Sequence, residues 1–147
     1  MSDLPALMTL PETLLSKDGE VDTFSVLEND LIGLYFSAHW CPPCKQFTPF
    51  LADAYKDWKA DGKKIAIIFV SMDKDIDEFK SYFSEMPWYA IHYNQIESKQ
   101  YLSQFYKVQG IPNLTVLSKE SKLIDDNGRM TVTNNPGGCV ETWLKKV

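Results

Sequence analysis

Cys41 and Cys44 are separated by two prolines in the stretch Trp40-Cys41-Pro42-Pro43-Cys44, a spacing that sets two thiols one helical turn apart. Thiols so placed suit thiol–disulfide exchange. One thiolate attacks a disulfide sulfur, and the second thiol then displaces the mixed disulfide intramolecularly. The pair alone is a weak signal, and its surroundings strengthen it. An apolar run, Leu31-Ile32-Gly33-Leu34-Tyr35-Phe36, precedes it and reads as a buried strand. Phe47, Phe50, Leu51, Ala54, Tyr55 and Trp58 follow at helical spacing,. Strand, short loop, C-x-x-C, helix is the order that puts a thiol at a helix N-terminus. There the partial positive charge and free N–H groups favour the thiolate,.

The two cysteines differ in position. Cys41 falls at or just before the N-cap and is expected to be exposed, which makes it the attacking thiol. Cys44 falls inside the first turn, more buried, as the resolving thiol,. Pro42 and Pro43 suit the first turn, where a missing N–H has no helical partner,. They also strip two amide donors from the neighbourhood of Cys41, leaving the N–H and S–H of Cys44 to stabilise its sulfur. The competing reading is half of a zinc site. Zinc asks for two further ligands, and Cys139, His39 and His92 stand at no recognisable spacing. No metal is expected, and no cofactor beyond the cysteine pair.

The neighbours carry weaker signals. Trp40 either covers apolar surface or supplies a flat docking face beside the thiols. His39 reads as a solvated loop residue that could favour the thiolate when protonated. Pro49 falls inside the amphipathic helix and should bend it,. Cys139 reads as a small, inert near-core residue. The Ile111-Pro112 bond, judged by itself, is expected to be trans.

The positioning elements follow in order. Residues 12–23 carry Asp18-Gly19 between short arms, a hairpin signal. The strand from Leu31 and a helix from about Pro42 to Ala60 come next, then a second buried strand, Ile65 to Val70. A helix from Asp75 to Phe83 carries Ile76, Phe79 and Phe83 on one face. After a loop through Met86-Pro87-Trp88, a helix from about Glu97 to Tyr106 turns Leu102, Phe105 and Tyr106 inward. A strand at Leu114–Leu117 leads to turns near 119–121 and at Asn127-Gly128, and a last helix carries Val140, Trp143, Leu144 and Val147. Strands alternating with helices, then adjacent strands late in the chain, indicate α/β architecture with a mixed sheet,.

Composition narrows the function classes. The 147 residues are 44% apolar and 13% aromatic, which suits one well-packed domain spanning 1–147,. The net charge of -5 carries no basic block, so nucleic-acid binding is not expected. Apolar runs of about six residues are far too short for a membrane span. Met1-Ser2-Asp3-Leu4-Pro5 does not read as a secretory signal. Three cysteines without such a signal suit a reducing compartment, the cytoplasm first and the nucleus second,.

With those residues in place, the chain resembles thioredoxin-fold oxidoreductases, most closely the nucleoredoxin and tryparedoxin branch. The resemblance rests on residues 36–45, read FSAHWCPPCK, continuing to Phe47-Thr48-Pro49. It also rests on Val70-Ser71-Met72-Asp73, on Tyr82 to Ala90 around Met86-Pro87-Trp88, and on Val108 to Leu114 around Ile111-Pro112. It implies a central mixed sheet flanked by helices on both faces, here with an N-terminal β-hairpin extension. It makes Cys41 the nucleophile and Cys44 the resolving cysteine, and Pro112 the family's cis-proline, with the Ile111 backbone pairing to a bound substrate chain. Ordinary thioredoxins carry a buried aspartate where Tyr35 stands. Tyrosine is a poor base near neutral pH, so another group must take the Cys44 proton, and Asp73 is the candidate. Tryparedoxins typically have tryptophan where Met72 stands.

The expected activity is reduction of protein disulfides by a monomer, with electrons resupplied by an upstream reductase or a low-molecular-weight thiol. The alternative is a redox-gated binding module, with Trp40 and the Met86-Pro87-Trp88 loop as its interface.

Overall fold

A computed structural model describes residues 5–147. Met1 to Leu4, and with them most of the stretch read above as lacking a signal, lie outside the described residues. After a 3₁₀ turn at Ala6–Thr9, the expected hairpin forms from β1 (Thr13–Ser16) and β2 (Gly19–Asp22). Gly19 takes φ +120° at its turn, a conformation that side chains oppose,. Asp22 caps the short helix α1 (Thr23–Val26), accepting from the N–H of Phe24,. Then come β3 (Leu31–Ser37), α2 (Pro42–Ala60), β4 (Ile65–Ser71), α3 (Ile76–Phe83), β5 (Tyr89–Ala90) and α4 (Ile96–Phe105). The chain closes with β6 (Asn113–Ser118), β7 (Leu123–Asp125), α5 (Gly128–Asn134) and α6 (Cys139–Leu144).

The strands form one mixed sheet of order β2-β1-β5-β4-β3-β6-β7. Its centre is parallel, β3 beside β4 and β4 beside β5, while β6 runs antiparallel to β3. Every residue of β3 and β4 is buried, as expected of strands covered on both faces. The period of two divides their continuous apolar runs between two cores. Leu31, Tyr35, Ile65, Ile67 and Phe69 face a layer that includes Leu51, Tyr55 and Trp58 of α2, Phe79 and Tyr82 of α3, and Trp143 of α6. Ile32, Leu34, Phe36, Ala66, Ile68 and Val70 face Leu102 of α4, Val26 of α1 and Leu7. Helices therefore cover both faces, with the hairpin at one edge.

The late chain differs from expectation. A helix, α5, begins where only a turn was read, because tertiary contacts override weak helical propensity. Val132 is fully buried, and Thr131 Oγ1 donates to Asp125 Oδ2 at 2.6 Å. Gly128 lets α5 approach β6: a Cβ there would lie 2.8 Å from the Leu114 carbonyl oxygen. Phe105, read as inward, and Ile76 and Val147, read on the apolar stripes of their helices, are exposed instead. Each sits in the first or last turn of its helix or just past it, where the apolar stripe runs beyond the sheet. Met86 and Trp88, proposed above as a surface loop, are fully buried. The Trp88 ring lies edge-on to Tyr35 and Tyr55, with centroids 5.8 and 5.5 Å away. Its indole N–H has no partner among the described residues.

Candidate active site

β3 ends at Ser37, and a four-residue loop carries the chain to the N-terminus of α2. Cys41 is the N-cap of that helix, with Pro42 and Pro43 in the first two helical positions. A proline has no N–H to offer, so the first free amide of the helix belongs to Cys44. That N–H reaches the Cys41 sulfur at 3.4 Å, making the thiol the cap acceptor that serine or aspartate would otherwise supply,. Pro49 lies within α2, where it cannot donate to the Lys45 carbonyl.

Cys41 was expected to be exposed, and it is not. Only 5% of its surface is accessible, and Cys44 has none. Ala38 and Cys44 pack with it, and Met72 and Ile111 lie against the cluster. The loop before β6 supplies the opposite wall. There the Ile111-Pro112 bond is cis, as the family resemblance implied and the bare bond did not. The Ile111 carbonyl oxygen is 3.9 Å from Cys41 Sγ.

Trp40 is 47% exposed, the outer edge of the site. Its indole N–H donates to the Met72 carbonyl at 3.0 Å, and the Lys74 ammonium lies 5.5 Å from its ring centroid. Asp73, after β4, holds the loop from below. Its Oδ1 accepts the His39 backbone N–H at 2.6 Å and its Oδ2 accepts the Ser71 hydroxyl at 2.6 Å. The His39 ring packs against Tyr82, centroids 5.5 Å apart, so this histidine is not simply solvated. No three His, Cys, Asp or Glu side chains gather as a metal site among the described residues.

Burial, reinforced by the neighbouring Cys41 thiol, pushes the Cys44 thiol up to about 11, partly offset by a hydrogen bond from Ser37,. Ser37 belongs to a cluster of buried hydroxyls. Its Oγ lies 2.7 Å from Tyr82 OH, which lies 2.5 Å from Thr48 Oγ1, which lies 2.6 Å from Tyr35 OH. Tyr82 also reaches the Cys44 carbonyl at 3.3 Å. Sequence reasoning missed Ser37, Thr48 and Tyr82 as site residues. The signal was there. Tyr35 and Ser37 alternate onto one face of β3, and Thr48 sits one turn after Cys44 on α2.

Residues 29–123 match the family model described as thioredoxin-like. The chain is a member of the thioredoxin-like family. Its relatives place it among nucleoredoxins and tryparedoxins. It is 45% identical to Bos taurus nucleoredoxin over 83% of its own length and 28% of the relative's. Native tryparedoxin I from Crithidia fasciculata is 36% identical, with a TM-score of 0.85 over 93% of this chain and 94% of that one. Tryparedoxin II complexed with glutathionylspermidine is 28% identical, with a TM-score of 0.84 over 93% and 95% of the two chains. The thioredoxin-like chain thus spans less than a third of the bovine nucleoredoxin's length and nearly the whole of the tryparedoxins. It has the thioredoxin fold and is a thioredoxin-like oxidoreductase, its C-x-x-C pair held together at the start of α2.

Among the residues singled out beforehand, Cys41, Cys44 and Ile111 come together in one cluster; Pro42 and Pro43 join the two cysteines, Trp40 precedes Cys41 at the exposed edge, and Pro112 follows Ile111 across the cis bond. Asp73 stands behind the loop, bonded to the His39 backbone and the Ser71 hydroxyl. Cys139 lies elsewhere, as the first residue of α6, 1% exposed and with its thiol pushed up to about 11 by burial.

Proposed function

We propose that this thioredoxin-like chain reduces protein disulfides. Cys41 thiolate attacks a substrate disulfide, forming a Cys41 mixed disulfide and releasing one substrate thiol. Cys44 then attacks Cys41 Sγ and expels the second, leaving a Cys41–Cys44 disulfide. Two electrons and two protons have passed to the substrate. An upstream reductase or a low-molecular-weight thiol restores the dithiol, and a glutathione-type thiol is the small reductant that the tryparedoxin II complex makes attractive. The observation that carries the reading is the Cys44 N–H on the Cys41 sulfur at a helix N-terminus, with the Ile111 carbonyl opposite. That carbonyl and the exposed Trp40 face are where a substrate chain would lie, pairing through its backbone with little dependence on side chains. Pro42 and Pro43 support the site by keeping the Cys44 amide the first free donor. We place this monomeric, single-domain activity in the cytoplasm, with the nucleus as a second location.

The test is turnover of insulin disulfides with a recycling reductant. Many turnovers per protein support the reading. Stoichiometric reaction alone overturns it in favour of a redox-gated binding module. The half-exposed Trp40 beside the pair favours that second reading, but burial of Met86 and Trp88 removes the rest of the interface expected for it.

A further inference from the structure

Lys99 of α4 is a charged side chain that the disulfide chemistry above does not use, and it is only 8% exposed. A lysine buried to that degree is normally paired with an acid,. The ion pairs of the described residues join Lys63 to Glu141, His92 to Glu20 and Lys119 to Asp30, and Lys99 enters none of them. Its ammonium donates to no oxygen among the described residues and lies instead over the Tyr93 ring, 4.1 Å from the centroid.

The surroundings explain the gap. Tyr93 donates its hydroxyl hydrogen to the Asp73 carbonyl at 3.0 Å, which fixes the ring beneath Lys99. The Asp73 carboxylate is already engaged, one oxygen by the His39 N–H and the other by the Ser71 hydroxyl. It offsets the Lys99 charge from a distance without bonding to it. Burial lowers the Lys99 pKa, and Asp73 opposes that only in part,. An ammonium so placed gains from any anion that can reach it.

There is room for one. A pocket of about 250 Å³ opens at Lys99, lined also by Met72, Asp73, Gln100 and Ser103. Met72 walls this pocket and also lies against the Cys41–Cys44 cluster. A ligand with an anionic end at Lys99 and a sulfur at Cys41 has one methionine to cross, and an extended dipeptide covers roughly 7 Å.

We propose that the Lys99 pocket is a carboxylate-binding subsite that docks a small peptide thiol of the glutathione type while it reduces the Cys41–Cys44 disulfide. The subsite rests on the disulfide-reductase reading and supplies a means of choosing the reductant. Lys99 donates to the carboxylate, and the Gln100 amide and Ser103 hydroxyl are further donors beside it,. The first reductant thiolate attacks Cys41 Sγ, the Cys41–Cys44 bond breaks, and Cys44 takes up the proton that the reductant thiol gave up. A second reductant thiolate attacks the reductant sulfur of the mixed disulfide, releasing Cys41 and the reductant's own disulfide. Two electrons pass from two thiols to the cysteine pair.

The experiment starts from the oxidised full chain and counts free cysteines by timed alkylation and mass spectrometry. Glutathione carries carboxylates, glutathione diethyl ester carries none, and dithiothreitol is a reference without carboxylates. Corrected for thiolate fraction, glutathione should outpace its diester roughly tenfold, the scale of one hydrogen bond to a charged group. Lys99→Gln should bring that ratio close to one, and Lys99→Arg should restore most of it. Rates taken relative to dithiothreitol remove any general effect of a substitution on the fold. A ratio near one in the native chain overturns the proposal, as does a ratio that survives in Lys99→Gln. Equal loss in Lys99→Gln and Lys99→Arg assigns the effect to packing and overturns it too. A substrate carboxylate at Lys99 would instead slow insulin reduction by Lys99→Gln under dithiothreitol, with the glutathione-to-diester ratio near one, which also overturns it. If the native chain turns over no insulin with any reductant, the disulfide-reductase reading is what fails, and the glutathione ratio still tests Lys99.

Discussion

The backbone N–H of Cys44 points at the sulfur of Cys41 across 3.4 Å, so the second cysteine of the pair caps its helix onto the first. One thiol thereby sits at a helix N-terminus, while the other lies inside the first turn with no accessible surface, and the asymmetry has consequences for each.

Cys41→Ser should abolish disulfide reduction, because Cys44 has no accessible surface and Cys139 lies elsewhere, whereas Cys41 keeps 5% of its surface at the helix N-terminus. Cys44→Ser should react once and stop, accumulating a mixed disulfide at Cys41. Mass spectrometry after a disulfide challenge distinguishes the two, and equal trapping by both variants would reverse the assignment.

Alkylation should separate the three thiols by pH. Burial disfavours a thiolate, and Cys44 and Cys139 are each pushed up to about 11. Iodoacetamide at neutral pH should therefore label Cys41 first. Labelling of the other two should grow as pH rises toward their folded values. The same shift acts on stability. A raised pKa means that the folded chain keeps its proton longer, so the contribution of Cys139 is complete below the ordinary thiol value of 9.0 and fades as pH passes about 11,. Cys139→Ala should leave turnover unchanged and flatten the alkaline fall in melting temperature.

Asp73→Ala should loosen the loop that carries Cys41. The buried acceptor of the His39 N–H and the Ser71 hydroxyl disappears, at about 1–3 kcal/mol for groups left unpaired. A lower melting temperature together with a slower Cys41 attack phase is the expected result. Asp73→Asn, which keeps one carbonyl oxygen, should lie between. An unchanged attack phase in the alanine variant would show that the loop holds itself.

Gly128→Ala should destabilise the fold by roughly 1–3 kcal/mol, the usual range for overpacking. The added methyl would meet the Leu114 carbonyl oxygen at 2.8 Å, and a backbone atom in the middle of a sheet cannot step aside. Urea denaturation measures the loss directly.

Much of this was readable from the chain. The apolar runs of residues 31–36 and 65–70 mark the two central strands because burial on both faces leaves no polar positions. Trp40 through Cys44 marks the helix N-terminus because two prolines fit nowhere better. The limits are equally physical. A stripe of apolar residues says which way a helix turns, not where its partner sheet stops, and so Phe105 and Ile76 were misplaced. Met86 and Trp88 sit in a loop by local pattern, yet the gap between Tyr35 and Tyr55 draws them in. Cys41 reads as exposed from its cap position, while Ile111, seventy residues on, helps to cover it. The buried hydroxyls went unseen because serine, threonine and tyrosine are common on surfaces, and only the assembled fold turns Ser37, Thr48 and Tyr82 inward together.

The arrangement of the four tryptophans gives the molecule an optical gauge. Trp58, Trp88 and Trp143 are at most 3% exposed, whereas Trp40 is nearly half exposed and adjoins Cys41. A water-soluble quencher such as acrylamide therefore samples one indole, and that indole is bonded in sequence to the reactive thiol. Disulfides quench tryptophan emission at short range, so closing the Cys41–Cys44 bond should dim the quencher-accessible fraction and leave the buried emission nearly unchanged. The redox state of an unlabelled sample can then be followed by light alone.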